Sequence, residues 1–279
     1  MTKVLLTGSK GMLAHAFLKK KPKEWNILTT DIEELDITQP ARVEKAVRAF
    51  QPNIIINCAA FTRVDDCEKE EELAFAINAA GAGNLAESVQ KIGAKLVHFS
   101  TDYIFDGTKK SPYLEDDPPH PINVYGMSKL EGEENIRKVS DNHLIIRTQW
   151  LYGDGGNHFV KTILKLAKER DSIKVVNDQF GSPTWTEDLA DAIIELITKN
   201  CTGTYHVVNS GECSWYDFSC QIINEAGLKT KVIPCTTAEF PRPAKRPPYS
   251  VLSTDKVRKI LSKTLPDWQM ALGKFLTKH

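Results

Sequence analysis

An apolar strand at residues 3–7 (KVLLT) runs straight into Gly8-Ser9-Lys10-Gly11-Met12-Leu13-Ala14, and a helical pattern over 12–19 begins inside that turn. Few folds accept a strand and a helix joined so tightly. Glycine at 8 permits the sharp turn, and glycine at 11 lets the backbone approach a pyrophosphate. The small Ala14 stands where a third glycine is usual and lets the helix pack close on the strand. The free N–H groups at the helix start favour a negative group, so Gly8, Lys10, Gly11, Met12 and Leu13 are candidate contacts for a dinucleotide cofactor. Asp31 ends a second strand at 26–30, twenty residues after Gly11, where a carboxylate accepts hydrogen bonds from ribose hydroxyls. That charge favours NADH, whereas Lys10 attracts the extra phosphate of NADPH, so both cofactors stay open.

The same alternation continues along the chain. Strand-like runs at 54–57, 96–100 and 143–147 are interleaved with helical periodicity over 40–50, 70–91 and 125–138, punctuated by Pro40 at a helix start and Gly93 at a helix end. This order predicts an α/β fold, a Rossmann-type doubly wound parallel sheet covered on both faces, with a smaller C-terminal substrate-binding lobe. Beyond Arg147 the alternation fails. A helix is expected near 158–169, an amphipathic helix over 183–197 and a strand at 204–209, while the remainder, including FPRPAKRPPYS at 240–250, reads as proline-rich and irregular. The expected division is an NAD(P)-binding domain over 1–150, to which 181–211 returns, and a mainly substrate-binding lobe over 151–279.

Chemistry concentrates between residues 99 and 129. The run LVHFS ends at Thr101, which places that hydroxyl at the carboxyl end of a strand, where open α/β sheets bind ligands. Tyr125 and Lys129 are four residues apart, one helical turn, so the phenol and the ammonium share a face. A phenol titrates near pH 10 and a fixed cation lowers that value, so Lys129 is expected to tune Tyr125. Thr101 would then bond a carbonyl oxygen while Tyr125 protonates it and a reduced cofactor supplies hydride. A bare Tyr-x-x-x-Lys pair is common on solvated helices; its company with Thr101 and the glycine turn gives it meaning here. Asn57-Cys58-Ala59-Ala60 ends another strand and is small where a cofactor would pass, which makes Cys58, Ala59 and Ala60 candidates for backbone contact.

Composition narrows the partner. Thirty-six basic residues balance thirty-six acidic ones and no basic stripe stands out, so neither nucleic acid nor an anionic membrane is the expected partner. No apolar run approaches about 18 residues and no signal peptide precedes the first strand, so a cytoplasmic location is expected. The six cysteines form no C-x-x-C pair, the seven histidines are scattered, and no metal site is expected.

Several segments carry a family resemblance: TGSKGML at 7–13, LDIT at 35–38, NCAAFTRVDDCE at 57–68, AINAAGAGNLA at 76–86, FSTDYIFDG at 99–107, YGMSK at 125–129, RTQWLYG at 147–153, DQFGSPTWTEDLA at 178–190 and AKRPPYSVL at 244–252. Nearly the whole chain resembles the dTDP-4-dehydrorhamnose reductases, extended short-chain dehydrogenase/reductases. The resemblance implies a catalytic set of Thr101, Tyr125 and Lys129, with Tyr125 and Lys129 also touching the cofactor, NADPH or NADH. Asp36 and Ile37 join the cofactor candidates through the LDIT segment. The implied substrate is a dTDP-linked 4-keto-6-deoxyhexose, with Asp102, Tyr103 and Trp150 lining the sugar pocket and Arg246 facing the nucleotide part. The resemblance also allows a homodimer. Some members dimerise around magnesium held by glutamates; Glu187 falls at one such position, but His15 and Ala16 stand where another carboxylate is expected. Two other readings share these residues, a nucleotide-sugar epimerase or dehydratase and a non-catalytic subunit resembling the methionine adenosyltransferase β subunit.

Overall fold

The computed structural model describes residues 1–278. The first half alternates strand and helix: β1 (Thr2–Thr7), α1 (Met12–Lys20), β2 (Trp25–Thr30), α2 (Pro40–Phe50), β3 (Ile54–Asn57), α3 (Val64–Cys67), α4 (Glu71–Phe75), a π turn (Ala76–Ala80), α5 (Gly81–Ile92), β4 (Lys95–Thr101), α6 (Val124–Val139) and β5 (His143–Thr148). With β10 (Gly203–His206) these strands form one parallel sheet in the order β10-β5-β4-β3-β1-β2. The order reverses at β1 and β3, so their carboxyl ends open the crevice in which such sheets bind ligands.

Period-two alternation distributes the strand side chains. Val4, Leu6, Ile54, Ile56, Val97 and Phe99 pack on one face against α1 and against α8 (Thr186–Thr198). Leu5, Ile55, Leu96 and Ile145 pack on the other face against Val43, Val47, Leu85, Val89 and Ile136 of α2, α5 and α6. Burial on both faces explains why β3 reads IIIN, without polar alternation.

The second lobe is built from β6 (Leu151–Tyr152), α7 (Phe159–Glu169), β7 (Ser172–Val176), β8 (Phe180–Gly181), β9 (Thr184–Trp185), β11 (Cys213–Ser214), α9 (Trp215–Glu225), β12 (Lys231–Cys235) and α11 (Trp268–Leu276). Its core gathers Tyr152, Val160, Ile163, Phe218, Ile222, Trp268, Leu272 and Phe275. α8 and α10 (Asp255–Leu261) leave this lobe and pack on the main sheet, and β10 pairs with β5. Among the described residues no helix is long and apolar enough to cross a membrane.

Local structure departs from the sequence reading in three places. The helix expected over 70–91 runs from Glu71 to Ile92 but widens into a π turn at Ala76–Ala80. The helix expected from 183 starts at Thr186, because Thr184 and Trp185 pair with Leu151 and Tyr152. The region after 210, read as irregular, carries three α-helices; α9 opens on a capping box between Ser214 and Asp217.

Candidate active site

The glycine turn closes on itself through a Gly11 N–H to Gly8 carbonyl hydrogen bond of 3.0 Å. Gly8 holds φ +64°, and a Cβ there would fall 2.5 Å from the Ala59 nitrogen, so only glycine lets β1 and β3 meet so closely. The start of α1 therefore presents bare backbone beside Cys58 and Ala60, a cradle that fits a dinucleotide pyrophosphate. Asp31 Oδ2 accepts from the Lys10 N–H and Oδ1 from the Ile32 N–H, each at 2.9 Å. The Lys10 ammonium pairs with Glu33 at 2.8 Å. Asp36 caps its own turn, accepting from the Thr38 N–H at 2.9 Å and hydroxyl at 2.7 Å. Ile37 turns into the core below Gly81.

A cleft of about 540 Å³ runs from this turn across the strand ends. Lys10, Gly11, Met12, Leu13, Cys58, Ala60, Thr101, Asp102, Tyr103, Tyr125, Lys129 and Trp150 all line it. Gly8, Asp31, Asp36, Ile37, Ala59 and Arg246 stand outside its walls.

Thr101 ends β4 directly opposite Thr148 of β5. Its hydroxyl accepts from the Tyr103 N–H at 3.1 Å and donates to Asp102 Oδ1 at 3.0 Å. Tyr125 lies in the first turn of α6, which is capped by Asn123 Oδ1 accepting from the Gly126 N–H at 2.8 Å. The Tyr125 phenol lines the same cleft as the Thr101 hydroxyl, and its ring meets the Tyr103 ring edge-on at 5.8 Å. One turn further along, Lys129 is 2% exposed, and its Nζ lies 3.4 Å from His98 Nε2.

Below Lys129 the polar groups form a chain. Asn57 Oδ1 accepts from the Thr7 hydroxyl at 2.7 Å and the Ala59 N–H at 3.2 Å, which leaves Asn57 Nδ2 to donate to His98 Nδ1 at 3.1 Å. That bond assigns the ring hydrogen of His98 to Nε2, facing Lys129. Burial and the Lys129 charge hold His98 neutral, far below its ordinary value. Burial also pulls Lys129 down to about 8, against the opposing pull of Glu133 and Cys58.

The electrostatics of Tyr125 differ from the sequence expectation. Burial and the Asp102 charge push the phenol up, and Thr101 opposes them; a depressed value set by Lys129 is not what the site shows. A phenol that holds its proton near pH 7 is an acid that releases it only to a stronger base, such as an oxygen gaining charge as hydride arrives. Asp102 is pushed up to about 7 by burial, with Ser250 and Thr101 pulling it down.

Trp150 holds φ +50°, a region costly for a bulky side chain. Its ring stacks on Trp215 with centroids 3.5 Å apart and planes 10° from parallel, and Gly181 lies flat against it with no room for a Cβ. Arg246 is bonded to Asp65 of α3 and to the Ala244 carbonyl. Those bonds fasten the proline-rich segment, and the Arg246 charge opposes the burial that raises the Tyr103 phenol. Asn78 is structural, as its sequence context suggests: it accepts from the Phe61 N–H and donates to the Phe61 carbonyl and Ser128 hydroxyl. Sequence reasoning missed His98, Thr148, Gln149, Trp215 and Ser250. The histidine inside LVHFS carried a signal, since a polar residue on an all-buried strand needs a partner.

Glu187 does not suit magnesium. Lys19 at 2.6 Å, Lys278 at 3.0 Å and Lys20 at 3.5 Å surround its buried carboxylate with three positive charges.

A glycine turn at the switch point of a parallel sheet, with a threonine, tyrosine and lysine gathered on the same cleft, defines the site of a short-chain dehydrogenase/reductase. The chain belongs to the family described as RmlD substrate binding domain, whose model matches residues 1–279. It is 44% identical over 280 residues to the spore coat polysaccharide biosynthesis protein SpsK of Bacillus subtilis (strain 168), covering 100% of this chain and 98% of that protein. It is 38% identical over 292 residues to the dTDP-4-dehydrorhamnose reductase of Escherichia coli (strain K12), covering 99% and 97%. Among solved structures, the dTDP-4-dehydrorhamnose reductase of Bacillus anthracis strain Ames in complex with NADP is similar with a TM-score of 0.97 at 43% identity, covering 100% of each chain.

Proposed function

We propose that this protein reduces the 4-keto group of a dTDP-linked 6-deoxy-4-ketohexose, converting dTDP-4-dehydrorhamnose to dTDP-L-rhamnose with NADPH or NADH. The observation that carries the reading is the joint presence of Thr101, Tyr125 and Lys129 on the cleft that begins at the dinucleotide turn. Full-length similarity to reductases of that substrate supports its chemical class.

The reduced nicotinamide, when bound, supplies the hydride. Tyr125 gives its proton to the ketone oxygen, Thr101 holds that oxygen by a hydrogen bond, and Lys129, on the same cleft, would bind the nicotinamide ribose. Cys58, Ala59 and Ala60 present backbone to the adenosine half. Trp150 and Tyr103 wall the sugar pocket, and Arg246 exchanges Asp65 for the nucleotide diphosphate, which its planar fork matches. Residues 1–150 with α8, β10 and α10 serve as the cofactor domain, and the rest of the chain closes the substrate side.

The test is to mix purified protein with dTDP-4-dehydrorhamnose and NADPH or NADH while following nicotinamide absorbance. Stoichiometric oxidation with formation of dTDP-L-rhamnose is expected. An epimerase or dehydratase would return the hydride and show no net oxidation. A non-catalytic subunit would show no sugar conversion at all.

A further inference from the structure

For Thr101 to donate to a ketone, its single hydroxyl hydrogen has to point into the cleft. One lone pair already accepts from the Tyr103 N–H, and the hydroxyl lies 3.0 Å from Asp102 Oδ1. An ionised carboxylate only accepts, so it captures that hydrogen and leaves Thr101 facing the cleft with a lone pair. A neutral carboxylic acid reverses the bond: Oδ1 carries the hydrogen, gives it to Thr101 Oγ1, and frees the threonine hydrogen for substrate.

The surroundings of Asp102 suit the neutral form. The residue is 2% exposed and makes no ion pair among the described residues. Its Oδ2 accepts from the Ser250 hydroxyl at 2.5 Å. With the Gln149 amide oriented so that its oxygen accepts from the Ser182 N–H at 3.2 Å, Gln149 also donates to Oδ2, at 3.1 Å. Two donors on Oδ2 suit a carboxylate or a carbonyl oxygen alike, so in the neutral form the hydrogen sits on Oδ1, toward Thr101. The titratable and charged groups nearby are the phenol of Tyr125 from α6, the phenol of Tyr103 with the Arg246–Asp65 pair behind it, and Lys129 one turn along α6. None of the cations among them hydrogen-bonds the carboxyl. Burial favours the same state, raising Asp102 to about 7 against the pull of Ser250, Thr101 and two backbone N–H groups.

We propose that Asp102, as a neutral acid, is a positioning residue for the reduction: it donates to Thr101 so that Thr101 donates to the ketone oxygen. The proposal rests on the reductase reading. Asp102 keeps its proton throughout; the proton that ends on the product comes from Tyr125.

The sign of the pH dependence follows. The neutral form prevails below about 7, and ionisation above that point removes the Thr101 donor, so kcat falls about tenfold per pH unit beyond the break. A separate fall above about 8 belongs to Lys129. In Asp102→Asn the amide nitrogen donates to Thr101 permanently and the amide oxygen accepts from Ser250 and Gln149, so the lower break disappears while the Lys129 break stays. Ser250→Ala removes a donor that favours the ionised form, so it moves the lower break to higher pH. Infrared difference spectra, wild type against Asp102→Asn, should show a protonated carboxyl band that titrates near the same pH without any substrate. A wild-type kcat flat through pH 7, the same break in Asp102→Asn, or a band absent at pH 6 would overturn the proposal. If no variant turns over the ketone, the reductase reading fails and the infrared titration alone decides the state of Asp102.

Discussion

Asp31 Oδ2 accepts a hydrogen bond from the Lys10 N–H at 2.9 Å, which ties the end of β2 to the glycine turn of β1. Asp31 is thus engaged inside the turn, while the Lys10 ammonium is held only by an exposed pair with Glu33. Such a pair contributes little, so Lys10 is free to leave Glu33 for a phosphate on the adenosine ribose. Lys10→Ala should raise the KM for NADPH about tenfold, equal to about one phosphate contact, and leave the KM for NADH within about twofold. Initial rates with each cofactor decide it; an equal rise with both would contradict the assignment of Lys10 to the phosphate.

Gly126 has no room to become alanine. Its Cβ would lie 2.1 Å from the Tyr103 carbonyl oxygen, a backbone atom that cannot swing aside. The first turn of α6 would have to lift, and Tyr125 with it. Gly126→Ala is expected to destabilise the protein by about 1–3 kcal/mol and to lower kcat at least a hundredfold, since a misplacement of about 1 Å costs that much. Urea unfolding and steady-state kinetics measure the two effects, and a stable variant with normal kcat would contradict the close approach.

Glu133 and Arg147 form a buried pair beneath the site. Arg147 Nε donates to Glu133 Oε1 at 3.0 Å and Nη2 to Oε2 at 2.9 Å, with Glu133 fully buried. Glu133→Gln leaves the Arg147 charge without its counterion, and unfolding free energy should fall by about 3–5 kcal/mol. Burial pushes Glu133 up, but the Arg147 and Arg137 guanidiniums outweigh it and hold the carboxyl below its ordinary range. The pair therefore stabilises fully above the unfolded carboxyl value of about 4.3 and is lost as pH falls through the lower folded value. Denaturation followed across acidic pH should show a smaller acid-induced loss in Glu133→Gln than in wild type; parallel curves would contradict it.

The sheet and the catalytic trio are legible in the sequence because each is written locally: apolar runs mark the strands, Gly8 and Gly11 mark the turn, and one helical turn joins Tyr125 to Lys129. The widening at Ala76–Ala80 is not legible, because AINAAGAG suits an α-helix equally well. Only the tertiary bonds of Asn78 to Phe61 and Ser128 show what that segment positions. Pairings of two residues, such as Leu151 with Thr184, carry no periodicity to read. The same holds for Ser250: a serine after two prolines and a tyrosine gives no sign that it will reach Asp102 across 148 positions. The tuning of Tyr125 escapes the sequence for a related reason, since spacing reveals a lysine one turn away but not the burial that raises the phenol.

Tyr125→Phe removes one oxygen from a side chain already packed against Tyr103, so fold and cofactor binding should survive. The decisive measurement is the single-turnover rate of NADPH oxidation with dTDP-4-dehydrorhamnose, with NADPH binding checked separately. A loss of at least a hundredfold with unchanged NADPH affinity is expected of a general acid. A rate for Tyr125→Phe within about twofold of wild type would contradict the proton donor on which the mechanism depends.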